Sequence, residues 1–376
     1  MSTFVNVLEE IVVNEIYNQM NELRPELQQK IKVAEVLAYT LNRLPPMFAT
    51  SMTGWKYQYD RALNELHPRI VQLIKRGNQI VIFGDPIHDV TPLPNQLFLN
   101  SSGLLYQLSK LFGKKYLRWR DVPNLVQDIL NQSSNKLNDS YQFDTVIQAE
   151  EETVIQEVSH LNRHQKALLA SSKRFMSKQS SKIKIYEQKA NSWAEEKKLR
   201  DVIAIEHRAL ESYTLRAELG ITNVLEHLVF LAIERCTTPA ILQKINQSEV
   251  AAYALNRLPP MYATSMRGFK YLRQKAISEI PRALIGQTRN GILKSLQISK
   301  SDVPKIHAHQ FAQEYEQAVI ALQEILGRAD ISMYNIVPII RQLQQIEIKS
   351  TTKNLPKALK NDTAVMEPIE SIIGSD

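Results

Sequence analysis

Cysteine is all but missing: Cys236 is the only one in 376 residues. One thiol excludes an intrachain disulfide and a zinc site built on cysteines, and it fits a reducing compartment. Glycine is also scarce, at 11 residues, which argues against a strand-rich or Rossmann-type chain with its many tight turns. No uninterrupted apolar run reaches the ~18 residues of a membrane-spanning helix, and the opening residues do not join a basic stretch to an apolar core as an export signal does. The expectation is a cytoplasmic protein without membrane attachment. Signatures of catalysis are missing too, with no Walker loop, nucleophile elbow, HExxH or paired carboxylates at a recognisable spacing. Asp85, His88 and Asp89 fall in a segment that reads as a turn, and the pairs His160/His164 and His307/His309 lack a third ligand at fixed spacing. No enzyme, metal or cofactor is expected.

What is present begins with charge and size. The balance of 46 Lys+Arg against 39 Asp+Glu leaves +7. That excess suits nucleotides, nucleic acid or an acidic surface without choosing among them, and serves plain solubility equally. Hydrophobic and charged shares of 44% and 23% are those of a globular protein. The length exceeds the roughly 250–300 residues at which one core stops growing, so two folded units plus connecting material are expected.

Those two units are visible as a repeat. "NRLPPMFATSMTGWKYQYDRA" (42–62) returns as "NRLPPMYATSMRGFKYLRQKA" (256–276), and the pairing holds at a constant offset of 214 from Pro25/Pro239 onward. Before it, after a three-residue gap, Asn6-Val7-Leu8-Glu9 matches Asn223-Val224-Leu225-Glu226, whereas after about Leu66 and Ile280 the similarity fades. In copy one, Val7, Leu8, Ile11, Val12 and Ile16 stripe a first helix that ends before Arg24-Pro25, and a second runs from Ala34 to Leu44, where Pro45-Pro46 stops it. Thr50 and Ser51 offer caps to a third, Gly54 to about Arg76. Ile80–Phe83 fits a short strand and a buried helix end equally. Residues from about Phe143 to Leu219, rich in Glu, Lys, Gln, Ala and Ser, read as one or two long helices bridging the copies. The fold class is all-α. Its parts are a first copy with a helical extension (1–132), a helical bridge (133–219), a second diverged copy (220–346) and a mobile tail (347–376).

The doubled loop also suggests a site. The second helix delivers Asn42 and Arg43, and the third begins at Thr50 and Ser51 with amides pointing back, a setting for phosphate. Arg43 supplies a planar fork that pairs with phosphate or stacks on a base, and Trp55, Tyr57 and Gln58 follow. The second copy repeats this as Asn256, Arg257, Thr264, Ser265 and Tyr271, a weaker candidate because Phe269 and Leu272 replace Trp55 and Gln58 and "DP…TPL" is absent. A plainer reading stands beside it, in which the prolines stop a helix, Thr-Ser caps the next and Arg43 pairs locally. A rival in another class is DNA or RNA binding through "KKYLRWR" (114–120), where cations alternate with aromatics. There, Tyr116 and Trp119 at helical spacing would equally be core.

The order "NVLEEIV", "EVLAYTLNRLPPMFATSMTGWKYQ", "DPIHDVTPL" resembles the late-competence development protein ComFB family, over about residues 4–95 and, with gaps, 221–295. The resemblance implies small all-helical domains that dimerise and act as receptors for cyclic di-GMP and cyclic di-AMP. For this chain it implies a cyclic dinucleotide ligand, an unidentified protein partner, and either a homodimer or an intramolecular pseudo-dimer of the two copies. Nucleic acid is not expected as a partner.

Overall fold

The computed structural model describes residues 3–84, 91–138, 200–201, 203–297 and 304–353. Backbone contacts divide the chain into one unit of Met1–Ser134 with Ala209–Asp376 and a second of Asn135–Arg208. The first unit holds both copies. Asp85, His88, Asp89, His160 and His164, most of the bridge and the end of the tail lie outside the described residues.

Copy one opens with β1 (Val5–Asn6) and α1 (Val7–Asn21), which Asn6 caps by accepting from the Leu8 amide at 3.2 Å. Pro25 then starts the short α2 (Pro25–Gln28), where its missing N–H costs nothing. The next helix, α3 (Val33–Leu41), leads through the double proline to β2 (Phe48–Ala49), and β2 pairs antiparallel with β1. Ser51 alone caps α4 (Met52–Arg61), accepting from Gly54 N at 3.1 Å. Between α4 and α5 (His67–Phe83) lies one π-helical stretch, Ala62–Leu66. Pro68 cannot donate to the carbonyl four residues back, and the wider turn absorbs that defect. Ile80–Phe83 is thus the end of α5, and the third helix is longer than its sequence suggests.

Downstream come α6 (Ser101–Phe112), α7 (Val122–Asn138) and α8 (203–219). Copy two repeats the plan: β3 (Thr222–Asn223), α9 (Val224–Cys236), α10 (Pro239–Leu242), α11 (Gln247–Leu255), β4 (Tyr262–Ala263), α12 (Met266–Glu279) and α13 (Pro281–Gln297). Its extension is α14 (His307–Leu326) and α15 (Ile336–Lys353), the latter entering the stretch read as tail. Two-residue strand pairs are the only sheet among the described residues, so the architecture is all-helical.

The repeat continues where the sequence similarity fades. Gly113 and Gly327, 214 apart, both end a helix at positive φ (65° and 60°), a conformation that glycine adopts without strain. Lys114 N then bonds Ser109 O at 2.9 Å and Arg328 N bonds Gln323 O at 3.0 Å. Next, Arg118 N donates to Asp121 Oδ2 and Ser332 N to Asn335 Oδ1, again 214 apart. Backbone geometry has therefore outlasted side-chain identity. The extensions share a core of Leu104, Leu108, Trp119, Phe311, Leu322 and Ile340.

Candidate functional site

The doubled loop lies where the copies meet. Asn42 Nδ2 donates to Tyr262 O at 3.0 Å and Asn42 Oδ1 accepts from Tyr262 N at 2.6 Å. Asn256 does the same to Phe48, accepting from its amide at 2.7 Å and donating to its carbonyl at 2.9 Å. Each asparagine thus completes the backbone pairing of the other copy's strand. The neighbouring apolar side chains cross as well: Phe4 and Phe48 belong to the core of copy two, while Ile221 and Tyr262 belong to that of copy one.

A second exchange covers the helix starts. Met52 N, at the head of α4, donates to Pro304 O at 2.8 Å, and Met266 N, at the head of α12, donates to Thr91 O at 2.9 Å. Ser51 bridges Lys305, and Ser265 bridges Pro92. The "TPL" strap of copy one therefore has a structural counterpart, Pro304-Lys305-Ile306, which sequence comparison missed. Leu93 and Ile306 are both buried. Amides that sequence leaves open at the two helix starts are engaged by strap carbonyls and by the Ser51 and Ser265 caps.

The remaining candidates fall into two groups. Arg43 and Arg257 are exposed, each laid over the tyrosine one turn back, Tyr39 and Tyr253, at 3.6 Å from guanidinium carbon to ring centroid. Each donates once to that tyrosine's carbonyl, at 2.9 and 3.0 Å, and neither has an acidic partner among the described residues. Tyr57 and Tyr271 are about two-thirds exposed (66% and 65%). With their neighbours Lys56 and Lys270 they make no hydrogen bond or ion pair among the described residues. Thr50 and Thr264 are half-buried beside the caps. Trp55 instead stacks on Tyr59 at 4.8 Å and packs on the core of copy one, while Gln58 Oε1 is buried without a hydrogen-bond partner. The repeated Gly54 and Gly268 have a local reason: an added Cβ would sit 3.1–3.2 Å from the capping serine Oγ.

Sequence reasoning missed the polar centre of the interface. Arg216, near the end of α8, is bidentate to Glu9 (2.8 and 2.6 Å) and reaches Glu226 at 2.6 Å. Tyr262 donates its hydroxyl to Glu9 at 2.6 Å and accepts from Asn6 Nδ2 at 2.8 Å. Burial would lower the Arg216 pKa, but Glu226 and Glu9 hold it well above its usual value. Burial, more than Glu9, pushes the Tyr262 phenol up, keeping it a neutral donor. Burial also raises the Glu226 carboxyl against the pull of Arg216, and Glu226 Oε1 has no hydrogen-bond partner. The one hint in the sequence was the doubled Glu9/Glu226; nothing local marks Arg216.

"KKYLRWR" is split: Leu117, Arg118 and Trp119 are buried, whereas Lys114, Lys115, Tyr116 and Arg120 are exposed. Trp119 is fully buried, with its indole N–H on Ser101 O at 3.0 Å. Arg118 is buried against Glu314, Lys115 pairs with Glu211, and Arg120 lies beside Asp121. The core reading holds for Trp119 but not for Tyr116, which is exposed, because residues 114–118 form a turn and not the helix that the spacing suggested. Among the described residues no group of His, Cys, Asp and Glu is placed to hold a metal, and no helix is long and apolar enough to cross a membrane.

Residues 5–82 and 222–293 each match the family model for late competence development protein ComFB. No curated protein matches the chain.

Proposed function

From the premise that this chain carries two ComFB domains in tandem, we propose that it is a non-enzymatic receptor for a cyclic dinucleotide second messenger, acting by shifting a protein–protein interaction. One observation carries the reading. Among the doubled loop residues, the asparagines, serines and glycines have internal tasks, whereas Arg43, Lys56 and Tyr57 and their counterparts Arg257, Lys270 and Tyr271 are solvent-facing. Cations and aromatics kept in duplicate at the surface, the arginines held in place over Tyr39 and Tyr253 with donors to spare, suit an external ligand with phosphates and bases. The pairing of the copies supplies such groups twice under approximate two-fold symmetry, and a cyclic dinucleotide is itself two-fold. Each arginine directly follows the asparagine that binds the other copy's strand, so a ligand held there would bias the packing of the copies.

Calorimetric titration with cyclic di-GMP, cyclic di-AMP and linear dinucleotides tests this. A cyclic ligand should bind and be recovered intact. Losing a charge-assisted hydrogen bond to phosphate costs about 1.5–3 kcal/mol, so Arg43→Ala should weaken binding about tenfold or more. Because the Trp55–Tyr59 stack that flanks Tyr57 on α4 has no counterpart in copy two, where Phe269 and Arg273 stand, Arg257→Ala should weaken it less. Turnover of the dinucleotide would sink the receptor reading, and equal losses would mean two equivalent sites.

A further inference from the structure

The exchanged contacts described above are symmetric, and symmetric contacts cannot choose a partner. Asn42 with Asn256, Phe4 with Ile221, and the two straps would serve as well between identical copies of two different chains. Discrimination requires features that differ between the copies. Two buried polar clusters differ in this way. In the first, one guanidinium, Arg216, serves both Glu9 and its counterpart Glu226, and Glu9 is completed by the hydroxyl of Tyr262. The counterpart of Tyr262 is Phe48, which has no hydroxyl. A pair of first copies would leave Glu9 and Asn6 facing a phenylalanine. In the second, Arg118 of copy one meets Glu314 of copy two, with both side chains buried. The positions 214 away are Ser332 and Asn100. A pair of first copies would bury Arg118 without its acid, and a pair of second copies would bury Glu314 without its base.

We infer that these two clusters are the specificity determinants of the interface: each copy's docking surface selects the unlike copy and rejects the like one, so the chain closes on itself. The covalent link brings the copies together, and the polar mismatch decides which pairs survive.

The link must be severed for a test. A protease site within residues 140–199 of the full chain, cut after folding, leaves two fragments of different mass, which are mixed, partly unfolded, refolded and weighed as pairs by native mass spectrometry. Wild-type fragments should form unlike pairs only. Tyr262→Phe removes one hydroxyl from the unlike pair and leaves a pair of first copies, which contains no residue 262, unchanged; by weakening the unlike pair it should let pairs of first copies appear. The triple variant Tyr262→Phe/Arg118→Gln/Glu314→Gln should raise like pairs about tenfold above the single variant, because like pairs then no longer bury Arg118 or Glu314 as unpaired charges. A statistical mixture of pairs in wild type would overturn the inference, as would unlike pairs alone in both variants. If the triple variant fails to refold, Tyr262→Phe decides by itself.

Discussion

Glu226 shows how one atom's surroundings set a measurable property. Its counterpart Glu9 has Arg216 in two hydrogen bonds and the Tyr262 hydroxyl besides, whereas Glu226 has one Arg216 contact and an unpartnered Oε1. Burial raises its carboxyl above the usual 4.5, against the pull of Arg216. For a carboxyl raised in the folded state, the folded form binds more protons, so stability declines as pH rises from about 4.5 through the raised value, and the full penalty is present above it. Phe48→Tyr places a hydroxyl where pseudo-symmetry aims it at Glu226. It should add about 1.5 kcal/mol at neutral pH, as hydrogen bonds to charged groups do, and flatten that decline. Denaturant titrations at several pH values check both. A loss of stability would mean that the core of copy two has no room for the added oxygen.

Among elements, the straps carry the most unusual load. The stretch from Thr91 to Leu93 sets Leu93 in the core of copy two and gives the Thr91 carbonyl to the first amide of α12. A helix start needs partners for its open amides, and here another copy's backbone supplies one. Leu93→Ala should cost about 2–5 kcal/mol, the usual range for a buried leucine. Its signature is location: hydrogen exchange should quicken at Met266 and the first turn of α12, in copy two, although the substitution is in copy one. Faster exchange confined to residues 91–100 would show that the strap rests on copy two without supporting it.

At the scale of the whole molecule, the copies share their cores and should not unfold separately. Asn42→Ala strips two hydrogen bonds from the buried Tyr262 backbone, and an unpaired buried polar group costs about 1–3 kcal/mol. Exchange protection should therefore fall together in α3 and α11. A drop in one copy alone would make them independent domains.

The sequence by itself determined what depends on neighbours a few residues away. Pro25, the Ser51 cap and the apolar stripe of α1 specify helices and their ends, because capping, proline geometry and amphipathic spacing act within a turn or two. In contrast, α3 ends at Leu41, before Leu44 and the Pro45-Pro46 pair, where Asn42 turns to bind the other copy. The repeat announced two copies for the same reason. Of the candidate site, Arg43, Tyr57 and their counterparts were readable as duplicated, solvent-suited groups. Only the tertiary structure decided that Asn42 and Asn256 bind the other copy's strands, that Trp119 and Arg118 are interior, that Pro304–Ile306 is a second strap, and that Arg216 closes the centre. These assignments join residues some 200 positions apart. Contacts of that kind are fixed by how cores fill and how buried charges find partners, and neither leaves a local mark on the chain.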